Sequence, residues 1–558
     1  MNPKRTDTMQ KPYCLIGAII ALALLLTACA TPTVGPTPTP TRTPKPPTPT
    51  ATHTHSPTPT PAFPVTAGCA PAVPAGACEQ FQAQIANQPE HFTWIDQGDA
   101  VVKMSTRSSE TQPVGTWTYA VAAPFFTAQD AVSSTHLAQT WAGNPTGAFV
   151  ERPLLVTTDT MRTLTPLLGP PSEAHVQIAA ETTLLAMAEQ IDAWAILPFD
   201  QLMPRWKVLS IDGQLPTSKD EDAGSYPLTV PLYLSSASRP DALRLLAPQP
   251  DTFVNQDPEA LTVVAMTGVT AITRGTARLI ERTSVTYPAQ NIKPWFDDAD
   301  IVHISNEVSF KPECTAAVSG TMSFCSHDSY IGLLEEIGAN VIELTGNHLE
   351  DKGTQWVDHT LEMYRERGWQ WYGGGANQAE GEQPLRIEHG PNKIAFLGCN
   401  AIGPFAGAES GGAARCDFAQ MEAQIRQLRE EGYAPIVTIQ YLETYEYFPT
   451  PQQERDFRRL AEAGAVVVQG SQAHQPQTLE FHEGTFIHYG LGNFLFDQMW
   501  SLGTRQEFVD RLTFYKGALI NIELKTALLE EYGRPRPMST EERVDFLTTI
   551  FELSPDLE

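Results

Sequence analysis

The residues best suited to chemistry in this chain of 558 residues lie in its second half, each group directly after an apolar run. They include amides, a carboxylate and imidazoles, which bind divalent cations or transfer protons, and glycines that permit close approach of the backbone. The groups are Gly268-Val269, Asn306-Glu307, Gly346-Asn347-His348, Gln440-Tyr441, Gly470-Ser471-Gln472-Ala473-His474 and Gly490-Leu491-Gly492-Asn493. The spacing predicts one site assembled from several loops.

A repeated strand and helix pattern that starts at Leu261 must position these groups. The predicted strands are Leu261–Thr267, Ile301–Ser305, Asn340–Leu344, Lys393–Leu397, Ala434–Ile439, Ala465–Val468 and Thr485–Tyr489, and predicted helices include Gln355–Arg367 and Gln420–Glu431. Continuous apolar strands that alternate with helices indicate an α/β fold whose sheet is covered on its faces. Chemistry in such folds gathers at the carboxyl ends of the strands, where the polar groups lie.

Four motifs in this region, taken in order, resemble the CapA family of capsule and poly-γ-glutamate biosynthesis proteins. They are Ser305-Asn306-Glu307, Gly346-Asn347-His348-Leu349-Glu350-Asp351-Lys352-Gly353, the stretch from Ala463-Gly464-Ala465 to His474, and Tyr489 to Gln498. The resemblance covers about residues 261–500. It implies that residues 256–558 form an αββα sandwich like that of the calcineurin-like metallophosphoesterases. It also implies a role in making, releasing or attaching an extracellular polymer.

The same resemblance implies a catalytic group. His348, next to Asn347, is expected to protonate a leaving atom or to stabilise developing charge, with Asp351 orienting its ring. Arg274 stands at the position of the family's basic residue after the first motif. The reaction implied is hydrolysis or transfer at a phosphate, amide or peptide-like bond.

The implied metal ligands depart from the family pattern. Those retained are Glu307, Asn347 and His474, with Gln440 and Gln472 as weaker ligands that replace family histidines. Val269 replaces a family aspartate and cannot coordinate a metal. The resemblance therefore implies a degenerate site that holds one divalent ion, Mn²⁺ or Mg²⁺, or none. A second interpretation is a non-catalytic envelope protein that only binds a polymer or small solute.

Residues 65–255 predict a separate α/β domain, with a strand over Trp117–Ala123 and an amphipathic stretch over Ala131–Trp141. Segments of this region resemble type 2 periplasmic binding proteins of the phosphate-binding kind; they are Tyr119 to Phe125, Leu137 to Gly143, Trp194 to Phe199, and Tyr226-Pro227-Leu228. The resemblance implies binding of a small solute or a glycan end, or a scaffold that has lost its ligand.

The first 28 residues predict a lipoprotein signal peptide. Lys4, Arg5 and Lys11 precede an apolar run that ends in Leu26-Thr27-Ala28-Cys29, which resembles a lipobox. Cys29 would carry the lipid and hold the chain at the outer face of the cytoplasmic membrane. An ordinary signal peptide or a short anchor helix are the alternatives. Residues 29–64 are rich in Pro and Thr and predict an extended stalk of up to about 100 Å.

The net charge of the chain narrows the classes of partner that it could bind. The chain has 37 basic and 64 acidic residues, a net charge of −27, which argues against nucleic acid as a partner. A cell-envelope polymer or a small solute is expected instead.

Besides Cys14 and Cys29, six cysteines remain, and their spacing favours the pairs Cys69–Cys78, Cys314–Cys325 and Cys399–Cys416 among fifteen connectivities. Reduced thiols or a metal cluster are the alternatives.

Overall fold

The computed structural model describes residues 63–96, 98–107, 112–219, 226–316 and 322–555. The predicted signal peptide, the predicted lipidation site Cys29 and all but the end of the predicted stalk lie outside these residues. Ala62–Glu558 form one compact unit. Among the described residues, no helix combines the length and the apolar character needed to cross a membrane.

The first part of the chain forms an eleven-stranded sheet with helices packed against it. Eight strands run in the order β2-β1-β3-β10-β4-β8-β6-β7, while β5, β9 and β11 join at the side. The strands are β1 Val65–Cys69, β2 Phe92–Trp94, β3 Val102–Ser105, β4 Gln112–Pro124, β5 Ala131–Val132, β6 Leu154–Val156, β7 Val176–Ile178, β8 Trp194–Pro198, β9 Trp206–Ile211, β10 Thr229–Ser235 and β11 Phe253–Val254. The helices are α1 Ala75–Ala86, α2 Ser134–Trp141, α3 Thr158–Leu168, α4 Leu184–Gln190 and α5 Pro240–Leu246.

The α/β class predicted for this part is confirmed, with one local difference. The predicted amphipathic stretch from Ala131 is helical only from Ser134, because Ala131 and Val132 pair with β9 and Ser133 caps the helix. The Ser133 hydroxyl oxygen accepts hydrogen bonds from the backbone N–H groups of Thr135 and His136. Such an N-cap fixes where a helix starts.

A seven-stranded sheet begins the second part of the chain. Its order is β17-β16-β13-β12-β26-β27-β28, in which the first four are parallel and the last three join antiparallel. The strands are β12 Leu261–Thr270, β13 Ile301–Asn306, β16 Val341–Glu343, β17 Gln370–Tyr372, β26 Gln506–Tyr515, β27 Ala518–Glu530 and β28 Arg534–Pro537. The predicted strands at Leu261, Ile301 and Asn340 correspond to β12, β13 and β16.

A six-stranded sheet in the order β19-β20-β22-β23-β25-β24 faces the first. Its strands are β19 Leu385–His389, β20 Asn392–Asn400, β22 Ala434–Thr444, β23 Val467–Ala473, β24 Leu479–His482 and β25 Thr485–His488. The short strands β14 Phe310–Lys311, β15 Ser326–His327, β18 Gly374–Gly375 and β21 Gly412–Ala413 lie outside both sheets. The remaining helices are α6 Arg274–Arg282, α7 Ile331–Glu336, α8 Gln355–Glu366, α9 Gln378–Gly381, α10 Phe418–Glu430, α11 Pro451–Glu462 and α12 Thr540–Leu553.

The two sheets pack face to face and helices cover their outer faces. Phe396 and Ile436 from one sheet share a buried core with Phe508 and Leu512 from the other. Helices α6, α7 and α8 pack on the seven-stranded sheet, whereas α10 and α11 pack on the six-stranded sheet. This αββα sandwich is the architecture that the family resemblance implied.

Local signals set the ends of the helices around the site. Asp417 caps α10 by accepting a hydrogen bond from the Gln420 N–H, and Gly432 follows the helix with a φ of 84°. Thr450 caps α11, which begins with Pro451. A proline in the first turn and a glycine after the last turn are typical of these positions. The predicted helices Gln355–Arg367 and Gln420–Glu431 therefore agree with α8 and α10 to within two residues.

Candidate functional site

The polar groups predicted from the sequence converge where parallel strands of the two sheets end. Glu307 directly follows β13, and Asn347 lies in the loop after β16. Gln440 and Gln472 lie in β22 and β23 of the facing sheet. Gly346 permits this approach, because a Cβ at its position would come within 2.5 Å of the Glu307 Cα atom. The site therefore joins the edges of both sheets.

The amide of Gln440 lies at the centre of a buried polar cluster, which we call the amide cluster. Its Nε2 atom donates to Oε1 of Glu307 at 3.3 Å and to Oδ1 of Asn347 at 3.1 Å. The same atom donates to Oε1 of Gln472. Glu307, Gln440 and Gln472 are each less than 5% exposed. Hydrogen bonds that are shielded from water to this degree hold side chains in fixed positions.

His348 and Asp351 form a hydrogen-bonded pair beside this cluster. The distance between His348 Nδ1 and Asp351 Oδ2 is 2.7 Å, and the backbone N–H of Phe324 also donates to Asp351 Oδ2 at 2.7 Å. Because a carboxylate only accepts, Nδ1 carries a proton and Nε2 is left for a ligand. The ring of His348 packs on that of Phe324, with centroids 4.4 Å apart. The expected orienting role of Asp351 fits this geometry.

The surroundings of His348 favour its protonated form. Burial lowers the pKa of His348, but the hydrogen bond to Asp351 and the negative charges of Glu307, Asp351 and Glu443 raise it by more, and the net pKa lies above 6.5. His348 therefore holds a second ring proton over a wider pH range than a free histidine does. A group of this kind can serve as a general acid.

Arg274 is held in place by an acidic partner. Its guanidinium Nε donates to Asp497 Oδ1 at 2.9 Å, and the backbone N–H of Gly275 donates to Asp497 Oδ2 at 2.8 Å. The guanidinium lies over the rings of Phe324 and Phe496, at 5.0 and 4.9 Å from their centroids. Arg274 thus lies over Phe324, the ring that packs on His348, and its charge is balanced by Asp497.

His474 has other partners than the amide cluster. Its Nδ1 lies 2.8 Å from Oδ1 of Asn493, which also bonds the backbone oxygens of His474 and Thr504 through Nδ2. In the part of the chain that the structure describes, no hydrogen bond links His474 to Glu307 or Gln440. His474 therefore lies beside the other expected metal ligands without a direct link to the cluster.

An aromatic row extends from the surface to His348. Trp500 at its outer end is 61% exposed and Tyr445 is 39% exposed. The ring centroids are 5.7 Å apart for Trp500–Tyr445, 5.8 Å for Tyr445–His474, 5.5 Å for His474–Phe496, 6.4 Å for Phe496–Phe324 and 4.4 Å for Phe324–His348. Exposed rings next to polar groups are typical of binding surfaces.

The residues at this edge do not fit a two-metal centre. Val269, at the family's aspartate position, is 1% exposed and packs with Val308, Phe324 and Phe496. The amide cluster contains one carboxylate, that of Glu307. The Gln440 amide already donates to one oxygen atom of Glu307 and to one of Asn347. Within the described residues, no group of three or more His, Cys, Asp or Glu side chains could hold a metal ion. Amides are weak ligands in the absence of further charge.

The structure contains the three disulfide bonds that the spacing favoured, Cys69–Cys78, Cys314–Cys325 and Cys399–Cys416. Cys325 directly follows Phe324, which packs on His348 and donates to Asp351. The bond to Cys314 therefore restrains the backbone that supports the histidine pair.

Several site residues were missed in the sequence interpretation. Asp497 and Phe496 fall within the family motif that ends at Gln498, so their position in the motif was a usable signal. Phe324 lies outside all four motifs, and only its neighbour Cys325 marked the segment. Trp500 follows the last motif and carried no signal of its own.

Comparison with solved structures gives similarities of low score. An ABC-type phosphate transport receptor from Vibrio cholerae is 12% identical, with a TM-score of 0.27 over 32% of this chain and 90% of that chain. TT1561 of Thermus thermophilus is 13% identical, with a TM-score of 0.26 over 46% of this chain and 100% of that chain. Scores below 0.5 do not establish a common fold, so the periplasmic binding-protein likeness of residues 65–255 stays a prediction.

Comparison with curated proteins gives a consistent group. The capsule biosynthesis protein CapA of Bacillus anthracis is 23% identical over 51% of this chain and 71% of that protein. The PGA biosynthesis protein CapA of Bacillus subtilis is 23% identical over 38% of this chain and 57% of that protein. A probable polyglutamine synthesis accessory protein of Mycobacterium tuberculosis is 24% identical over 43% of this chain and 69% of that protein.

The family match covers the site residues described above up to Gln498, and the sandwich apart from β26, β27, β28 and α12. Residues 263–498 match the model of the bacterial capsule synthesis protein PGA_cap. This range contains the amide cluster, the histidine pair, Arg274 and Asp497. Over residues 263–498, this chain is therefore similar to the bacterial capsule synthesis protein PGA_cap family.

Proposed function

We propose that this protein acts in the synthesis, release or attachment of a capsule or poly-γ-glutamate type of polymer at the outer face of the cytoplasmic membrane. The family match and the names of the relatives support the process. The lipobox at Cys29 supports the location, with the lipid as the membrane anchor. The polymer or a small solute is the proposed ligand.

The observation that carries the proposal is the His348–Asp351 pair at the end of the aromatic row. Asp351 fixes the ring and its proton on Nδ1, and the charges of Asp351 and Glu307 raise the pKa of His348 against the effect of burial. In hydrolysis, water attacks the carbonyl or phosphoryl centre of the polymer bond and gives up a proton to solvent. Protonated His348 donates its Nε2 proton to the leaving oxygen or nitrogen, and the ring is left neutral. Asn347 and Arg274 flank this pair and help to orient the ligand.

The outer end of the aromatic row provides an exposed surface on which a polymer segment binds. Trp500 and Tyr445 are exposed at its outer end, and Phe324 at its inner end contacts His348. Large rings that are already fixed by packing bind ligands at a low entropic cost. Buried rings of the row, from His474 to Phe324, then link this exposed end to His348 through packing.

A second candidate function is binding without catalysis. The specific observation in its favour is that Val269, Gln440 and Gln472 occupy positions where the family resemblance implies metal ligands. In this alternative, the first part of the chain and the sandwich both recognise an envelope polymer or a small solute. The amide cluster then only shapes the binding surface.

The proposal is tested by complementation of a strain that lacks this gene. Cell-bound and released polymer are measured with wild-type protein, His348→Ala and Trp500→Ala. His482→Ala is the matched control, since this partly exposed histidine bonds Glu462 away from the site. Loss of polymer with His348→Ala and Trp500→Ala, at normal protein level, is the expected result.

Other outcomes are equally informative. Full complementation by His348→Ala together with failure of Trp500→Ala would favour binding without catalysis. Unchanged polymer in the strain without the gene would contradict the polymer role itself.

A further inference from the structure

We propose that the Gln440 amide nitrogen replaces a bridging metal ion at the edge of the sandwich. Oxygen atoms of Glu307, Asn347 and Gln472 converge on this one nitrogen. A convergence of oxygen ligands is the arrangement that a divalent cation would require. Here a neutral hydrogen-bond donor occupies the point of convergence.

The donors and acceptors around Gln440 fix the orientation of its side-chain amide. A carboxylate can only accept, so the Gln440 atom that faces Glu307 is assigned as the NH₂ nitrogen. The nitrogen has two hydrogens for three oxygen neighbours, which leaves the cluster with more acceptors than donors. The other oxygen of Glu307, Oε2, is buried and has no hydrogen-bond partner among the residues that the structure describes. The Gln440 amide therefore meets the converging oxygens only in part, and it does not neutralise the carboxylate.

The amide cluster also joins the two sheets. Glu307 and Asn347 follow strands of the seven-stranded sheet, whereas Gln440 and Gln472 belong to the six-stranded sheet. Gln440 therefore forms a hydrogen-bonded link across the edge of the sandwich, as a bridging metal would. A loss of its side chain would leave the carboxylate of Glu307 buried without its donor, which is costly.

The test measures metal content and melting temperature of the full chain purified in detergent. Metal is determined by mass spectrometry after dialysis against Zn²⁺ and Mn²⁺ and removal of free ions. We expect wild-type protein to retain far less than one ion per chain, with a melting temperature that EDTA does not change. Because no substrate is needed, failure of this inference is distinct from failure of the proposed function.

The second part of the test restores histidines at the two glutamine positions. The double variant Gln440→His, Gln472→His offers two imidazoles beside the Glu307 carboxylate, a set that suits Zn²⁺. Gln472 has a φ of 74°, which histidine tolerates better than most residues. We expect this variant to bind about one Zn²⁺ per chain. The control variant Gln80→His, Gln427→His adds two histidines at exposed positions and should gain none.

Three results would overturn the inference. The first is about one tightly held ion per wild-type chain. The second is a folded double variant that takes up no more metal than the control. The third is a melting temperature of Gln440→Ala equal to that of Gln427→Ala, which would show that the link does not hold the edge together; this measurement stands even if the double variant fails to fold.

Discussion

The protonation of His348 gives the site a defined dependence on pH. Its pKa in the folded chain lies above 6.5, so the protonated form stabilises the fold; this contribution is complete below 6.5 and is lost as the pH rises through the raised pKa. Asp351→Asn removes the charge that supports the proton. We expect it to lower the free energy of unfolding by about 1.5–3 kcal/mol at pH below 6.5, and by less at higher pH. Denaturant unfolding across pH measures both.

The matched control is Asp328→Asn. Asp328 bonds His359 at 2.9 Å on a partly exposed surface, so its loss should be small. Parallel pH profiles for wild-type protein and Asp351→Asn would contradict the assigned role of the pair.

Trp500 gives a prediction that separates binding from stability. Its side chain is 61% exposed, so Trp500→Ala should change the free energy of unfolding by no more than about 0.5 kcal/mol. Loss of the outermost ring of the aromatic row should nevertheless weaken binding of poly-γ-glutamate several-fold. Leu502→Ala is the control, since Leu502 is 59% exposed and makes no ring contact in the row. Equal weakening by both variants, measured by titration calorimetry, would contradict a specific role for the row.

The sequence was sufficient to predict some residue pairs and not others. His348 and Asp351 are three positions apart in one motif, and the structure brings their side chains together. Arg274 and Asp497 are 223 positions apart, so only the folded chain shows their ion pair. Gln440 was predicted as a weak ligand. Its central role in the amide cluster depends on contacts across two sheets, which no local pattern encodes.

Helix α12 closes the core between the two sheets and makes the clearest stability prediction at the level of an element. Phe546, Leu547 and Ile550 from this helix are almost completely buried. Leu547→Ala should lower the free energy of unfolding by about 2–5 kcal/mol, because it leaves a cavity in a packed core. Val544→Ala is the control on the same helix, where Val544 is 40% exposed. Similar losses for both variants in denaturant unfolding would show that α12 is not part of the core.

Strand prediction succeeded where the strands are apolar and failed where they carry buried charges. Strands such as β22 are continuous apolar runs and were predicted from that pattern. Strand β26 contains Asp510 and Arg511, which are buried because Asp510 lies 2.6 Å from Nδ1 of His488 and Arg511 bonds Asp298. These partners are distant in the sequence and are not visible in the segment itself. The charged residues therefore did not predict a buried strand.

On the scale of the whole molecule, the first part of the chain packs directly on the sandwich. Phe125, at the end of β4, contacts Phe481 and Phe486 in the core between the sheets, with ring centroids 5.1 and 5.6 Å away. Asp130 pairs with Arg543 of α12. Apolar contacts of this kind hold the first part of the chain and the sandwich together.

The lipid anchor is the prediction that decides where the whole molecule acts. Cys29→Ala removes the thiol that would take the lipid, so we expect no incorporation of labelled palmitate and loss of the mature protein from the membrane fraction. Cys14→Ala is the matched control, because Cys14 lies within the predicted signal peptide and should leave labelling unchanged. Full labelling of Cys29→Ala would contradict the lipobox. Since a stalk of up to about 100 Å gives wide reach only while its base is fixed, Cys29→Ala should also reduce cell-bound polymer in the complemented strain.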